Sequence, residues 1–114
     1  MEMQGYDRKA AVAFMLPKLN RAEFKPLAAQ AEALLEQAID ADFAYMADAG
    51  ILTAEGLMGQ GYYDDDDAFE FILDHMAASR RAAEKDMDAL AAFVDQYMEL
   101  QEQYLDKTGL LSWD

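Results

Sequence analysis

The chain has 114 residues, no cysteine, and 23 acidic against 9 basic side chains, which gives a formal net charge of −14 at pH 7. A hydrophobic content of 54% in a chain of this length is enough for one buried core, so we expect a single domain over residues 1–114. The lack of cysteine excludes disulfide scaffolds, cysteine-based zinc sites, iron–sulfur clusters and thiol nucleophiles.

Helical periodicity begins in the segment 7–16, where Asp7 is placed to cap a short first helix. A second helix is predicted over 23–49, because apolar and small residues recur there at helical spacing. Pro26 is tolerated in the first turn of such a helix. Gly50 is the predicted stop, since glycine commonly follows the last helical residue.

A glycine-rich stretch separates the second helix from the third, and four of the six glycines fall between residues 50 and 61. Beyond it, apolar residues alternate in steps of four and three without a phase break. This pattern predicts one helix of about 40 residues over 66–106, ended by Gly109. The expected fold is all-α: a small helical bundle with a short first helix and an antiparallel hairpin of two long helices, joined by the Gly-rich loop.

The predicted third helix is longer than its partner in the hairpin, so an apolar stripe near its end would overhang. The stripe consists of Phe93, Val94, Tyr97, Leu100 and Tyr104. An exposed patch of that size is unusual on a monomer. The first helix and the tail 110–113 are local candidates to cover it, and a second copy of the chain is the other, so we expect a homodimer.

The charge is unevenly distributed along the chain. Residues 26–79 hold twelve acidic side chains and no Lys or Arg, whereas residues 1–25 hold five basic side chains against three acidic ones. Such a block repels nucleic acid and anionic membranes, and it attracts basic proteins, polyamines or divalent cations. We therefore predict a basic protein partner and no direct contact with nucleic acid or membrane. The plain alternative is that the acidic surface only maintains solubility.

Two tyrosines and a run of four aspartates stand at the predicted start of the third helix. Asp64 or Asp65 is suited to cap that helix, and further carboxylates are favoured by its dipole. The run does not match a calcium loop, because the sixth and twelfth positions counted from Asp64 are Phe69 and His75 rather than Gly and Glu. The functional interpretation is a partner-binding site formed by Tyr62, Tyr63, Asp64, Asp65, Asp66 and Asp67.

Arg80 occupies a position on the apolar stripe of the predicted third helix. The hairpin register places it opposite about residue 35, with Glu36 or Glu32 as the partner. Of the two we predict a structural ion pair between Arg80 and Glu36 that fixes the register. An arginine that recognises an anion inside a helical pocket is the alternative.

Catalytic groupings are not evident. His75 is the only histidine and has no Glu three residues before it, so the Glu-x-x-His motif of di-iron bundles is missing. No serine or threonine has a histidine at a spacing that suggests nucleophilic catalysis. We therefore predict no catalytic residue, no metal and no cofactor. A divalent-metal-dependent enzyme is an alternative, because acidic side chains form two rows at helical spacing. The first row is Glu32, Glu36 and Asp40, and the second is Glu99, Glu102 and Asp106.

Together these patterns predict a small acidic helical protein of interaction or regulatory type, which binds a basic protein partner through its acidic surface. A second alternative is a nucleic-acid mimic that occupies the groove of a DNA- or RNA-binding protein. No apolar run approaches the roughly 18 residues of a membrane span. The longest, 10–16, is followed by Pro17 and Lys18 rather than a signal cleavage site, so we expect a cytoplasmic location.

Overall fold

The described residues of the structure, a computed structural model, form four α-helices and two 3₁₀ segments. Residues 5–52, 59, 61, 63–80 and 86–109 are described, with the backbone alone for Ser79 and Arg80. Within these ranges no helix is long and apolar enough to cross a membrane. The all-α class predicted from the sequence is confirmed by the helices α1 (Arg8–Met15), α2 (Ala31–Asp48), α3 (Asp65–Arg80) and α4 (Met87–Thr108).

The first helix, α1, begins where the sequence predicts. Asp7 is its N-cap, and Asp7 Oδ1 accepts a hydrogen bond from Ala10 N at 3.1 Å. Pro17 follows in the short 3₁₀ segment Leu16–Lys18. The helix packs on α2 and α4 through a buried face formed by Ala11, Val12 and Met15.

The continuous helix predicted over 23–49 is wrong in its first part, which is a 3₁₀ segment, Arg21–Gln30, followed by α2. Pro26 has no N–H to donate, so it cannot make the α-helical hydrogen bond to the carbonyl of Ala22. Phe24 has φ −131° and ψ 43°, outside the helical region. Its ring meets Phe93 of α4 edge to face, with 5.3 Å between centroids. The irregular segment thus delivers Phe24 into the core.

The end of α2 is confirmed at its predicted place. Gly50 has φ +77°, a left-handed conformation that glycine adopts without strain. Beyond it, Ile51 N donates to Met46 O at 2.8 Å. Gly61 N donates to Gly50 O at 2.9 Å, and a Cβ on Gly61 would collide with Ala49 O. Glycine is therefore required at 61, because the chain passes directly against the end of α2.

The single helix predicted over 66–106 is wrong, because two helices occupy that range, with α3 ending at Arg80 and α4 beginning at Met87. Both pack on α2 and on each other, and the molecule is 37 Å long, whereas a 40-residue helix would span about 60 Å. The buried residues Ile72 and Leu90 stay in helical phase across the break. Periodicity identifies core-facing residues and does not reveal a chain reversal between them.

Part of these predictions lies outside the described residues. This holds for residues 81–85, for the tail 110–113, and for positions 53–58, 60 and 62 of the predicted Gly-rich loop. At the other end of α4 the predicted stop is confirmed, because Gly109 caps the helix in a left-handed conformation with φ 73°.

The apolar stripe of α4 is covered within one chain. Its members Phe93, Val94 and Tyr97 are fully buried, and Tyr104 is 6% exposed. The covering elements are α1 and the 3₁₀ segment Arg21–Gln30, and the ring of Phe14 lies 5.6 Å from that of Tyr104. The exposed stripe that motivated the homodimer is therefore not present, and the homodimer stays a prediction without that support.

Candidate functional site

An acidic cavity of about 620 Å³ is bounded by the 3₁₀ segment Arg21–Gln30, by α2 and by α4. The start of α3 and the preceding residue Tyr63 complete its lining. No Lys or Arg is among the described residues that line it. Its apolar lining consists of Met46, Phe69, Met98 and Leu105. Its carboxylates, which come from all four elements, are Glu23, Asp42, Asp65, Asp66, Asp95, Glu99 and Glu102.

Helix α4 forms one wall of the acidic cavity. Gln96 in this wall anchors the 3₁₀ segment, because Asn20 N donates to Gln96 Oε1 at 2.7 Å and Gln96 Nε2 donates to Asn20 O at 3.1 Å. This double hydrogen bond holds the segment that carries Glu23 at the cavity. The exposed carboxylates of the wall follow one helix face at spacings of four and three, namely Asp95, Glu99 and Glu102.

The start of α3 forms another wall of the acidic cavity. Asp64 caps the helix, since its Oδ1 accepts from Asp66 N at 3.0 Å and from Asp67 N at 3.1 Å. Asp65 and Asp66 line the cavity with their carboxylates at the positive end of the helix dipole, which offsets part of their mutual repulsion. Asp67 is exposed and does not line the cavity.

Asp42 of α2 is the one buried carboxylate of the acidic cavity, with 1% exposure. Tyr63 OH donates to Asp42 Oδ1 at 2.8 Å, and Tyr97 OH donates to Asp42 Oδ2 at 2.8 Å. Burial raises the pKa of Asp42 from 3.8 to about 6, and the two hydrogen bonds oppose this rise only in part. At neutral pH, Asp42 therefore adds a negative charge to the cavity.

The two tyrosines that hold Asp42 are fixed as hydrogen-bond donors. Burial raises the pKa of Tyr63 and of Tyr97, and the nearby charge of Asp42 raises both further. Their hydroxyls keep their protons at neutral pH, and they orient both oxygens of the carboxylate.

Gln101 of α4 lines the same cavity and is 3% exposed. Its Oε1 accepts from Tyr6 OH at 2.9 Å. Its Nε2 is the one buried side-chain nitrogen or oxygen among the described residues that has no hydrogen-bond partner. Buried polar groups in native proteins are nearly always paired, so this donor calls for an explanation.

The chemistry of the cavity favours an organic cation. Clustered carboxylates in a concave site focus a negative potential, and the apolar lining suits a methylene chain. Among the described residues, no group of three His, Asp or Glu side chains is arranged to hold a metal ion. His75 lies outside the cavity lining, where it is exposed and stacks on Phe71 with 5.9 Å between ring centroids.

The predicted partner-binding residues divide between two roles. The structure places Tyr63, Asp65 and Asp66 at the acidic cavity, whereas Asp64 caps α3 and Asp67 lies outside the lining. Tyr62 lies outside the described residues. Three of the six predicted residues thus share one cavity.

The predicted ion pair between Arg80 and Glu36 stays a prediction, because the side chain of Arg80 lies outside the described part of the structure. The acidic face of α2 is contacted by Arg8 of α1 instead. Arg8 Nη2 lies 2.5 Å from Asp40 Oδ1, and Arg8 Nη1 donates to Glu36 O at 3.4 Å. These contacts tie α1 to α2.

Sequence reasoning missed Asp42 and Gln101, the two buried polar residues of the cavity. Both carried a signal. Asp42 lies four residues after Ala38 and four before Met46, so it interrupts the apolar face of the second helix. Gln101 stands on the apolar stripe between Tyr97 and Tyr104. A polar residue on a core-facing stripe is a candidate for a buried polar network.

Comparison with protein-family models, with curated proteins and with solved structures finds no match to this chain.

Proposed function

We propose that this chain is an interaction protein that binds a basic segment of a protein partner, and that the acidic cavity is where the segment docks. The observation that carries the proposal is the convergence of seven carboxylates from four elements on one cavity, with no Lys or Arg among the described lining residues. Catalysis forms no part of the proposal.

Mutual repulsion among these carboxylates is a reason to expect a cationic ligand. A concave surface lined by charges of one sign concentrates ions of the opposite sign near it. The six carboxylates other than Asp42 belong to residues at the surface, which gives a partner access to them. Such charges act mainly on the association rate and on its dependence on salt.

The acidic surface extends beyond the cavity along α4. A smaller groove of about 440 Å³, which shares two residues with the cavity, is lined by Glu99, Glu102, Gln103 and Asp106. An extended basic segment could therefore contact carboxylates over more than one residue of its length. This continuity supports a peptide or protein ligand over a single small ion.

The two alternatives from the sequence have less support. A nucleic-acid mimic needs carboxylates spaced along an outer face in the manner of phosphates, whereas these surround a concavity. A metal-dependent enzyme needs several ligands around one ion, and the described residues contain no such group. A homodimer and a cytoplasmic location are compatible with the proposal and independent of it.

The proposal is tested by calorimetric titration with a peptide of alternating lysine and glycine at low ionic strength. The variant D95N/E99Q/E102Q removes three cavity charges from exposed positions of α4. The matched control E32Q/E70Q/D74N removes the same number and kinds of charge from exposed positions outside the cavity.

We expect the cavity variant to bind the peptide about tenfold more weakly, since each exposed charge contributes a few tenths to about 1 kcal/mol. The control should lose less than about threefold, because its charges lie outside the cavity and Coulomb interactions weaken with distance. Raised salt should weaken binding to the unmodified protein. Equal losses in the two variants would mean that only net charge matters and would overturn the proposal, as would no binding at low salt.

A further inference from the structure

The unpaired nitrogen of Gln101 narrows the class of ligand that the acidic cavity takes. An amide N–H donates a hydrogen bond and does not bind a cation. The carboxylates that line the cavity accept hydrogen bonds, so they do not bind a hydrogen-bond acceptor of the ligand. A ligand that satisfies both must carry a positive charge and, within a few bonds of it, a hydrogen-bond acceptor.

We infer that the acidic cavity recognises one basic residue of a peptide, with its cationic side chain directed to the carboxylates around Asp42 and a main-chain carbonyl that accepts from Gln101 Nε2. This inference rests on the proposed function and deepens it. A peptide residue supplies both groups on one unit, whereas a fully protonated polyamine supplies only donors.

Gln101 and Asp42 belong to one hydrogen-bonded layer of the cavity. Tyr97 lies one helical turn before Gln101, and its hydroxyl donates to Asp42 at 2.8 Å. On the other side, Tyr6 OH donates to Gln101 Oε1 at 2.9 Å, and the charge of Asp42 acts on Tyr6. The free donor and the buried carboxylate are thus held by side chains that are themselves buried.

The apolar lining suits the aliphatic part of a basic side chain. Phe69 and Met98 are partly buried and supply most of the accessible apolar surface of the cavity, whereas Met46 and Leu105 are each 1% exposed and add little to it. Methionine packs against ligands of varied shape because its side chain is flexible. A lysine stem of four methylenes can lie along such a surface while its ammonium group reaches a carboxylate.

The test compares two probes that share an alkylammonium group. Nα-acetyl-lysine methylamide carries main-chain carbonyls, and n-butylammonium carries none. Each is titrated into ¹⁵N-labelled protein, and the side-chain Nε2H₂ signal of Gln101 is followed by heteronuclear NMR. The signal is assigned by its loss in the variant Gln101→Met, which keeps the length of the side chain and removes the donor.

We expect the Gln101 Nε2H₂ signal to shift with Nα-acetyl-lysine methylamide and to stay in place with n-butylammonium. Gln101→Met should weaken binding of the first probe by about fivefold, the worth of one hydrogen bond, and leave the second unchanged. Asp42→Asn should weaken both. If Gln101→Met does not fold, as judged by its thermal melt, the Nε2H₂ signal is assigned instead by through-bond correlation to the other side-chain atoms of Gln101 in ¹³C,¹⁵N-labelled protein, and the comparison of the two probes on the unmodified protein decides.

Two outcomes would overturn the inference. If both probes bind equally and neither shifts the Gln101 signal, Gln101 Nε2 donates to water and not to the ligand. If n-butylammonium or spermidine binds more tightly than the lysine probe, the ligand is a free amine. Either outcome leaves the proposed function standing, provided that the lysine–glycine peptide still distinguishes the cavity variant from its charge-matched control.

Discussion

Tyr97 and Asp42 form a buried hydrogen bond of 2.8 Å that joins α4 to α2 across 55 residues of sequence. Tyr97 is 0% exposed and Asp42 is 1% exposed, so water does not compete for either partner. With Tyr63 on the second carboxylate oxygen, this bond lets a charge-bearing group lie inside a small helical core. The two hydrogen bonds hold Asp42 in place at the acidic cavity.

Tyr97→Phe should lower the free energy of unfolding at pH 7.5 by about 2 kcal/mol, because it removes a hydrogen bond to a buried charge. At pH 5 the loss should fall to about 1 kcal/mol, since Asp42 is then largely protonated. Urea denaturation followed by circular dichroism measures both. The control is Tyr104→Phe on the same helix, whose hydroxyl makes a longer bond of 3.4 Å to Asp7 O. Equal losses in the two variants at pH 7.5 would contradict this assignment.

The pH dependence of stability should carry the signature of Asp42. Its pKa in the folded state, about 6, is above the ordinary value of 3.8, so the folded protein binds the proton more tightly. The stabilisation from this proton is fully present below pH 3.8 and is lost as pH rises through about 6. Over this window the free energy of unfolding should fall by up to about 3 kcal/mol on account of Asp42.

Asp42→Asn isolates that contribution from the other carboxylates. The side chains hydrogen-bonded to Asp42 are those of Tyr63 and Tyr97, and neither hydroxyl titrates in this range. The free energy of unfolding of the variant, relative to the unmodified protein, should therefore rise between pH 4 and pH 7. A difference that is flat over this range in urea denaturation would show that Asp42 ionises as it does in water.

The aspartate run should divide into binding and structural members. Asp65→Asn with Asp66→Asn removes two cavity charges and should weaken binding of a lysine–glycine peptide about fivefold at low salt. Asp64→Asn with Asp67→Asn removes two charges beside the cavity and should change binding less than twofold. Asn at position 64 keeps the helix cap, so α3 stays intact. Calorimetric titration of both double variants with the peptide measures the two losses of affinity. Equal losses would mean that the aspartate run acts only through its total charge.

Gly61→Ala should destabilise the fold by more than 1 kcal/mol, because a Cβ there collides with the backbone at the end of α2. The comparison is Gly109→Ala, where φ is +73° but no atom lies within 4 Å of the added Cβ, so only about 1 kcal/mol of backbone strain is expected. Thermal melts of the two variants at one pH rank them. A smaller loss at position 61 than at position 109 would contradict the close approach.

The sequence was sufficient to predict the local features of the fold. The cap at Asp7 and the stops at Gly50 and Gly109 depend on residues that act within one turn of a helix, and all three are confirmed. The break between α3 and α4 could not be predicted in this way. The core-facing residues keep their phase across it, and no Pro or Gly stands between residues 80 and 87.

The candidate site could be predicted only in part for a related reason. Asp65 and Asp66 were accessible to sequence reasoning because they form a visible charge run. The cavity itself depends on which elements meet, and Asp42, Asp95 and Gln101 come together only through packing of α2 and α4 with the 3₁₀ segment. Long-range proximity of this kind is a property of tertiary structure and leaves no periodic signal in one chain.

Mapping of the bound peptide by NMR tests the central claim most directly. A lysine–glycine peptide is titrated into ¹⁵N-labelled protein at low ionic strength, and backbone amide shifts are followed along the chain. The proposal predicts the largest changes at cavity residues, with Asp42, Tyr63 and Gln101 among them. Changes spread equally over exposed acids outside the cavity, such as Glu32 and Asp74, would contradict it.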